Sequence, residues 1–194
     1  MEVEAGPTTL QVARHGWRGA GILKVGTLQP PRQYAKERIR DIGLVRDINY
    51  KIQQKHDPNY PFLKIAQYLK DADLTITNLE GPLINNCPII REGFIFCGED
   101  SNVSGLTYAG IDAANLANNH TTNYGVSGLG ETKKILHSSG IVPFGLGGEI
   151  EYINIKNKRI ALVGFVELGN NWGGLNNATE VNVSSLVSLA KQNA

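Results

Sequence analysis

The sequence predicts an α/β fold built from βα units. Three observations carry that expectation. From Asp41 onward, short apolar runs alternate with stretches of helical period. Polar, chemistry-bearing residues follow directly on those runs. Ile160-Ala161-Leu162-Val163-Gly164-Phe165-Val166 is apolar at successive positions, as a strand covered on both faces must be.

Taken in order, Pro61 followed by Phe62, Ile65, Ala66 and Leu69 predicts a helix with proline in its first turn, ending near Asp71. Leu74-Thr75-Ile76-Thr77 alternates as a strand, and Asn78, Glu80, Gly81 and Pro82 crown its carboxyl end, where open α/β sheets place ligands. Residues 103–108 predict a short helix and 111–117 a strand, followed by the loop Asn118-Asn119-His120. Residues 128–139 predict a helix, with Leu129, Thr132, Lys133 and Leu136 at helical spacing and Gly140 as its stop. A strand over 141–144 follows. Residues 152–155 and 159–166 read as a hairpin closed by Lys156-Asn157-Lys158, and 183–192 as a final helix. Gly145-Leu146-Gly147-Gly148 is followed by no Gly-Lys-Ser/Thr, so a tight turn is expected there rather than a phosphate loop.

Length and charge bound the function. At 194 residues a single domain is the default, and a net charge of +1 gives no footprint for nucleic acid. The total hides a split, because residues 1–40 carry seven basic and three acidic side chains while all eighteen asparagines lie at Asn49 or later. The opening segment, with Gly6-Pro7, Gly19-Ala20-Gly21 and Pro30-Pro31, has no sustained apolar period and reads as loop or disorder. A junction is expected near residue 39, the segment 1–39 being either a flexible basic tail or a foreign start. No run approaches the ~20 apolar residues of a membrane span, and no signal-peptide core precedes residue 39. Localisation stays open. Cys87 and Cys97 are compatible with free thiols or with one bridge.

Three polar groups follow apolar runs: Asp41, the pair Asn78 and Glu80, and Asn119-His120. Two carboxylates, amide oxygens and an imidazole suit a divalent cation with an acid beside it. Taken singly, each group also reads as a turn residue, a surface carboxylate or a loop that bonds its own backbone. Trp172, in a Gly- and Asn-rich loop, reads as a polymer platform or as a ring folded over the core edge.

The words themselves go further. Asp73-Leu74-Thr75-Ile76-Thr77-Asn78-Leu79-Glu80-Gly81-Pro82, then Gly110-Ile111-Asp112-Ala113-Ala114-Asn115-Leu116-Ala117-Asn118-Asn119-His120, then Gly125, Gly128-Leu129 and Thr132, resemble the bacterial capsule-synthesis CapA family. Asp41-Ile42-Gly43-Leu44-Val45-Arg46 is similar to that family's opening strand motif. The family is associated with poly-γ-glutamate capsule synthesis and is related to the calcineurin-type metallophosphoesterases. The resemblance therefore implies a metallophosphoesterase-like layered sheet sandwich. It implies Asp41 and Glu80 as metal-site carboxylates, Asn119 as an amide ligand, His120 as the catalytic imidazole, and Asn78 supporting the ligands from behind. The implied cofactor is a divalent cation, Mn or Mg. The implied partners are an anionic polymer or phosphate ester and a polymer-synthesis complex.

Three positions depart from the pattern: Arg40 stands for Gly, Gly43 for the His of calcineurin-type enzymes, and Asn123 for the usual Asp. The family's later His-Trp-Gly and Gly-His-x-His segments have no counterpart among His15, His56, His120 and His137. Residues 40–194 are thus expected to be the N-terminal portion of a CapA-like domain, incomplete at the C-terminus. The competing readings are a general metal-dependent phosphoesterase and a non-catalytic assembly subunit of a polymer synthesis or export complex.

Overall fold

The structure is a computed structural model that describes residues 11–15, 23–25, 44–90, 92–167 and 174–193, the first two stretches and residues 44–47 as backbone. Two mixed sheets organise it. Strands β1 (Gln11–His15), β8 (Glu151–Ile155) and β9 (Lys158–Val166) form one sheet in the order β1-β9-β8. Strands β2 (Leu23–Val25), β3 (Leu74–Asn78), β6 (Ala113–Asn115) and β7 (Val142–Phe144) form the other in the order β2-β3-β6-β7. The β3, β6 and β7 pairings are parallel, as expected of βα units. A third, minimal pairing joins β4 (Leu83–Ile84) to β5 (Gly98–Glu99).

Both short strands β1 and β2 fall inside the segment read from sequence as loop or disorder. β1 pairs parallel with β9 and β2 antiparallel with β3. Three to five residues are too few for an apolar period to register. The rest of residues 1–39 lies outside the described residues, as do Asp41 and Trp172.

Other elements differ from expectation in instructive ways. Residues 44–46, read as part of an opening strand motif, instead begin helix α1 (Leu44–Lys55), on which Ile48 and Ile52 repeat at i, i+4. The helix expected from Pro61 is split into a 3-10 turn at Tyr60–Phe62 and α2 (Ala66–Lys70), because Ile65 takes φ −121° between them. Helix α3 (Val103–Tyr108) stands where expected. Helix α4 (Gly125–Ser138) begins one turn earlier than its apolar period, and Gly140 at φ 76° follows its end. Lys156 and Asn157 both take positive φ, which gives the β8–β9 hairpin the two-residue turn that matches strand twist. Helix α5 (Glu180–Asn193) closes the described chain.

Alternation along β9 shows where the core sits. Ile160 and Leu162 pack with Leu74, Ile76 and Phe144 of the four-stranded sheet, whereas Ala161, Val163 and Phe165 pack with Ala190 and Val183 of α5. The opposite face of the four-stranded sheet is covered by Leu69, Leu106, Leu129 and Leu136 from α2, α3 and α4. Thr132 of α4, fully buried, accepts the Leu83 N–H at 3.0 Å and so ties β4 to that helix. At the β7 edge, Val142 N–H donates to the Asp112 carbonyl and the Phe144 carbonyl accepts from Leu116. The nitrogen of Pro143 between them therefore faces away from β6, where it has no ladder bond to lose.

Candidate functional site

Residues 78–80 and 118–120 meet at the carboxyl ends of β3 and β6, because these strands are parallel neighbours in register, with Asn78 opposite Asn115. Three asparagines lock that junction, and the backbone dictates how each amide is turned. Asn115 Oδ1 accepts from Ala117 N–H at 3.1 Å, so its Nδ2 is the group that donates to Asn78 Oδ1 at 3.2 Å. Asn118 Oδ1 accepts from the N–H groups of His120 and Thr121, each at 3.0 Å, so its Nδ2 donates to the Leu79 carbonyl at 2.8 Å and to Asn78 Oδ1. Asn78 thus spends its oxygen on its neighbours, and its buried Nδ2 has no hydrogen-bond partner among the described residues.

Close approach makes this network possible. A side chain at Gly145, which takes φ 92°, would put Cβ 2.6 Å from Asn115 Oδ1 and 2.8 Å from Ala117 N. A Cβ on Gly164 of β9 would come closer still to the same oxygen.

His120 is 7% exposed. Its Nδ1 faces Asn123 Oδ1 at 3.1 Å, and the same oxygen accepts from Phe96 N–H at 2.7 Å. The Phe96 ring lies against the imidazole, with centroids 4.1 Å apart and planes inclined by 35°. Burial pushes the imidazole below its ordinary range, and hydrogen bonds to the Asn123 side chain and the Phe94 backbone oppose that shift. Immediately after Phe96, Cys97 forms a disulfide with Cys87, which settles the alternative the sequence left open. Cys87 Sγ accepts from Asn49 of α1 at 3.6 Å, and Asn49 in turn accepts from Asn102 at 2.8 Å.

The expected metal ligands are placed as follows. Glu80 is 2% exposed, one residue beyond the Leu79 carbonyl that Asn118 holds. Asn119 is half-buried next to His120. Asp41 lies outside the described residues. Among the described residues no three His, Cys, Asp or Glu side chains gather closely enough to hold a cation. Glu80 and Asn119 supply one carboxylate and one amide oxygen, fewer donors than a divalent ion needs. His56, at φ 51° in the turn after α1, and His137, in the last turn of α4, are exposed. Phe96 and Asn49 escaped sequence reasoning, whereas the bridge was one of two alternatives it left open. Asn123 was visible only as a departure from a family pattern.

One match is the capsule biosynthesis protein CapA of Bacillus anthracis, 27% identical over 139 residues, covering 66% of this chain and 34% of that protein. Two uncharacterized proteins of Sinorhizobium fredii (strain NBRC 101917 / NGR234), y4sH and y4uA, are each 32% identical over 103 residues, covering 47% of this chain and 21% of theirs. The chain thus spans about a third of CapA and about a fifth of the other two. The sequence profile of the bacterial capsule synthesis protein PGA_cap family matches residues 41–192, a stretch that holds α1, both strand-end groups, the bridged cysteines and α5. The chain belongs to the bacterial capsule synthesis protein PGA_cap family.

Proposed function

We propose that this chain serves capsule or poly-γ-glutamate polymer biosynthesis through a metallophosphoesterase-like site within a layered sheet sandwich. One observation carries the reading: a buried imidazole with a fixed orientation, His120, shares the ends of two adjacent parallel strands with a buried carboxylate, Glu80. On this reading Asp41, Glu80 and Asn119 hold the cation, Mn or Mg. The cation would polarise a phosphoryl oxygen and lower the pKa of bound water. His120 protonates the leaving oxygen, and Asn78 supports the ligands from behind through its hydrogen bonds with Asn115 and Asn118. The small donor set at Glu80 and Asn119 favours a second reading, a non-catalytic assembly subunit of a polymer synthesis or export complex, which binds polymer without a metal requirement.

Turnover of a generic phosphate ester separates the two. We expect residues 1–194 to bind Mn²⁺ weakly, to lose that binding in Glu80→Gln, and to hydrolyse little ester until further imidazole donors are supplied. Robust Mn²⁺-dependent turnover abolished by His120→Ala would instead mean that the site needs no further donors. Mn²⁺ binding that is undetectable, or equal in wild type and Glu80→Gln, removes the metal reading.

A further inference from the structure

Residues 88–90 and 92–95 lie in the loop that the Cys87–Cys97 bridge closes at its base. Among the described residues, no backbone–backbone hydrogen bond leaves this loop, and Ile89, Phe94 and Ile95 are exposed. Its closing end is different. Phe96 and Cys97 are 1% and 2% exposed, and Gly98 N–H donates to the Pro82 carbonyl at 2.9 Å where β5 meets β4. Phe96 is thus held by a covalent bond and a strand pairing directly after it, with its ring against His120 and its N–H on Asn123.

That N–H decides which proton His120 carries. A backbone N–H only donates, so the Asn123 atom facing it is the oxygen. The same oxygen faces His120 Nδ1 at 3.1 Å, and an acceptor there requires a proton on Nδ1. We propose that the bridged loop is a positioning clamp for His120: acting through Phe96, it fixes the ring plane and selects the tautomer protonated at Nδ1. The Phe94 backbone is the imidazole's other hydrogen-bond partner, so the clamp must also outcompete it for the single proton of the neutral ring. The clamp's catalytic significance rests on the reading of His120 as proton donor, but the clamp itself does not.

The test uses the full chain labelled with ¹⁵N-histidine, observed by long-range nitrogen–proton correlation at a pH where His120 is neutral. Wild type should show a protonated Nδ1. Cys87→Ser/Cys97→Ser should lose that signature, because the Asn123 amide is then free to turn over. Adding Asn123→Asp to the serine pair should restore it, since a carboxylate accepts through either oxygen. A wild type protonated at Nε2, a serine pair that keeps Nδ1–H, or a failed restoration overturns the clamp. Should the serine pair not fold, hydrogen exchange in wild type decides. Protection of the Phe96 amide at least about a hundredfold above that of Phe94 supports the clamp, and less overturns it. If His120→Ala leaves hydrolysis unchanged while the tautomer pattern holds, the catalytic reading falls and the clamp stands.

Discussion

Gly164→Ala probes the junction on which the candidate site rests. A Cβ at this position would stand 3.0 Å from Gly145 Cα and well inside the van der Waals shell of Asn115 Oδ1. Two responses are open. Either β9 and Gly145 separate, an overpacking cost of about 1–3 kcal/mol, or the Asn115 side chain swings aside. Swinging aside strips the Ala117 N–H of its acceptor, at about 1–3 kcal/mol, while Asn78 Oδ1 keeps Asn118 as a donor. Alanine also stiffens the unfolded chain, which returns about 0.4–1 kcal/mol. The cheaper response sets the cost, so the net loss should be about 1–2 kcal/mol, which for a chain of this size lowers Tm by roughly 2–8 °C. Thermal unfolding followed by circular dichroism measures it. The decisive comparison repeats the substitution in an Asn115→Ala background, where the oxygen is gone and Gly164→Ala should cost less than about 1 kcal/mol. Equal costs in the two backgrounds would refute the contact.

In the metal-free protein, burial holds the His120 imidazole below its ordinary 6.5, so the unfolded chain binds more protons just below that pH. The stability this residue contributes is full above about pH 6.5 and declines as pH falls through it. Asn123→Asp sets an anion at Nδ1, raises the imidazole and opposes that decline; an unchanged midpoint in an NMR titration contradicts the contact. Thr132→Val keeps shape but leaves the buried Leu83 N–H without its acceptor, for a loss of about 1–3 kcal/mol in urea unfolding. Opening the Cys87–Cys97 loop should cost about 3 kcal/mol from the entropy its closure removes. A Tm that is the same with and without a reductant that reaches the bond would contradict this.

What the sequence made legible was whatever repeats or punctuates. Helix α4 has four apolar-facing positions and a glycine stop, and the β8–β9 hairpin has a long apolar run and a polar turn, so both emerged near their true bounds. Helix α1 did not, because its start was taken for a strand motif on the strength of a few words around Asp41. The two-residue strands β4 and β5 are too short to carry a period. The site divides in the same way. Glu80 and His120 stood out as chemistry at strand ends, and the structure places their segments together. The asparagine lock and the Phe96 contact rest on single hydrogen bonds between residues far apart in the chain, 27 positions in the case of Phe96 and Asn123. Such bonds leave no period in the sequence and become visible only when folding brings the partners together.

Pro143 has a consequence for assembly. An extended segment that adds itself to the β7 side of the four-stranded sheet must pair with the outward groups of that strand, and at Pro143 it finds a carbonyl but no N–H. A three-residue strand missing its central donor is a poor template for a foreign strand. The β7 edge is therefore defended against sheet-to-sheet templating.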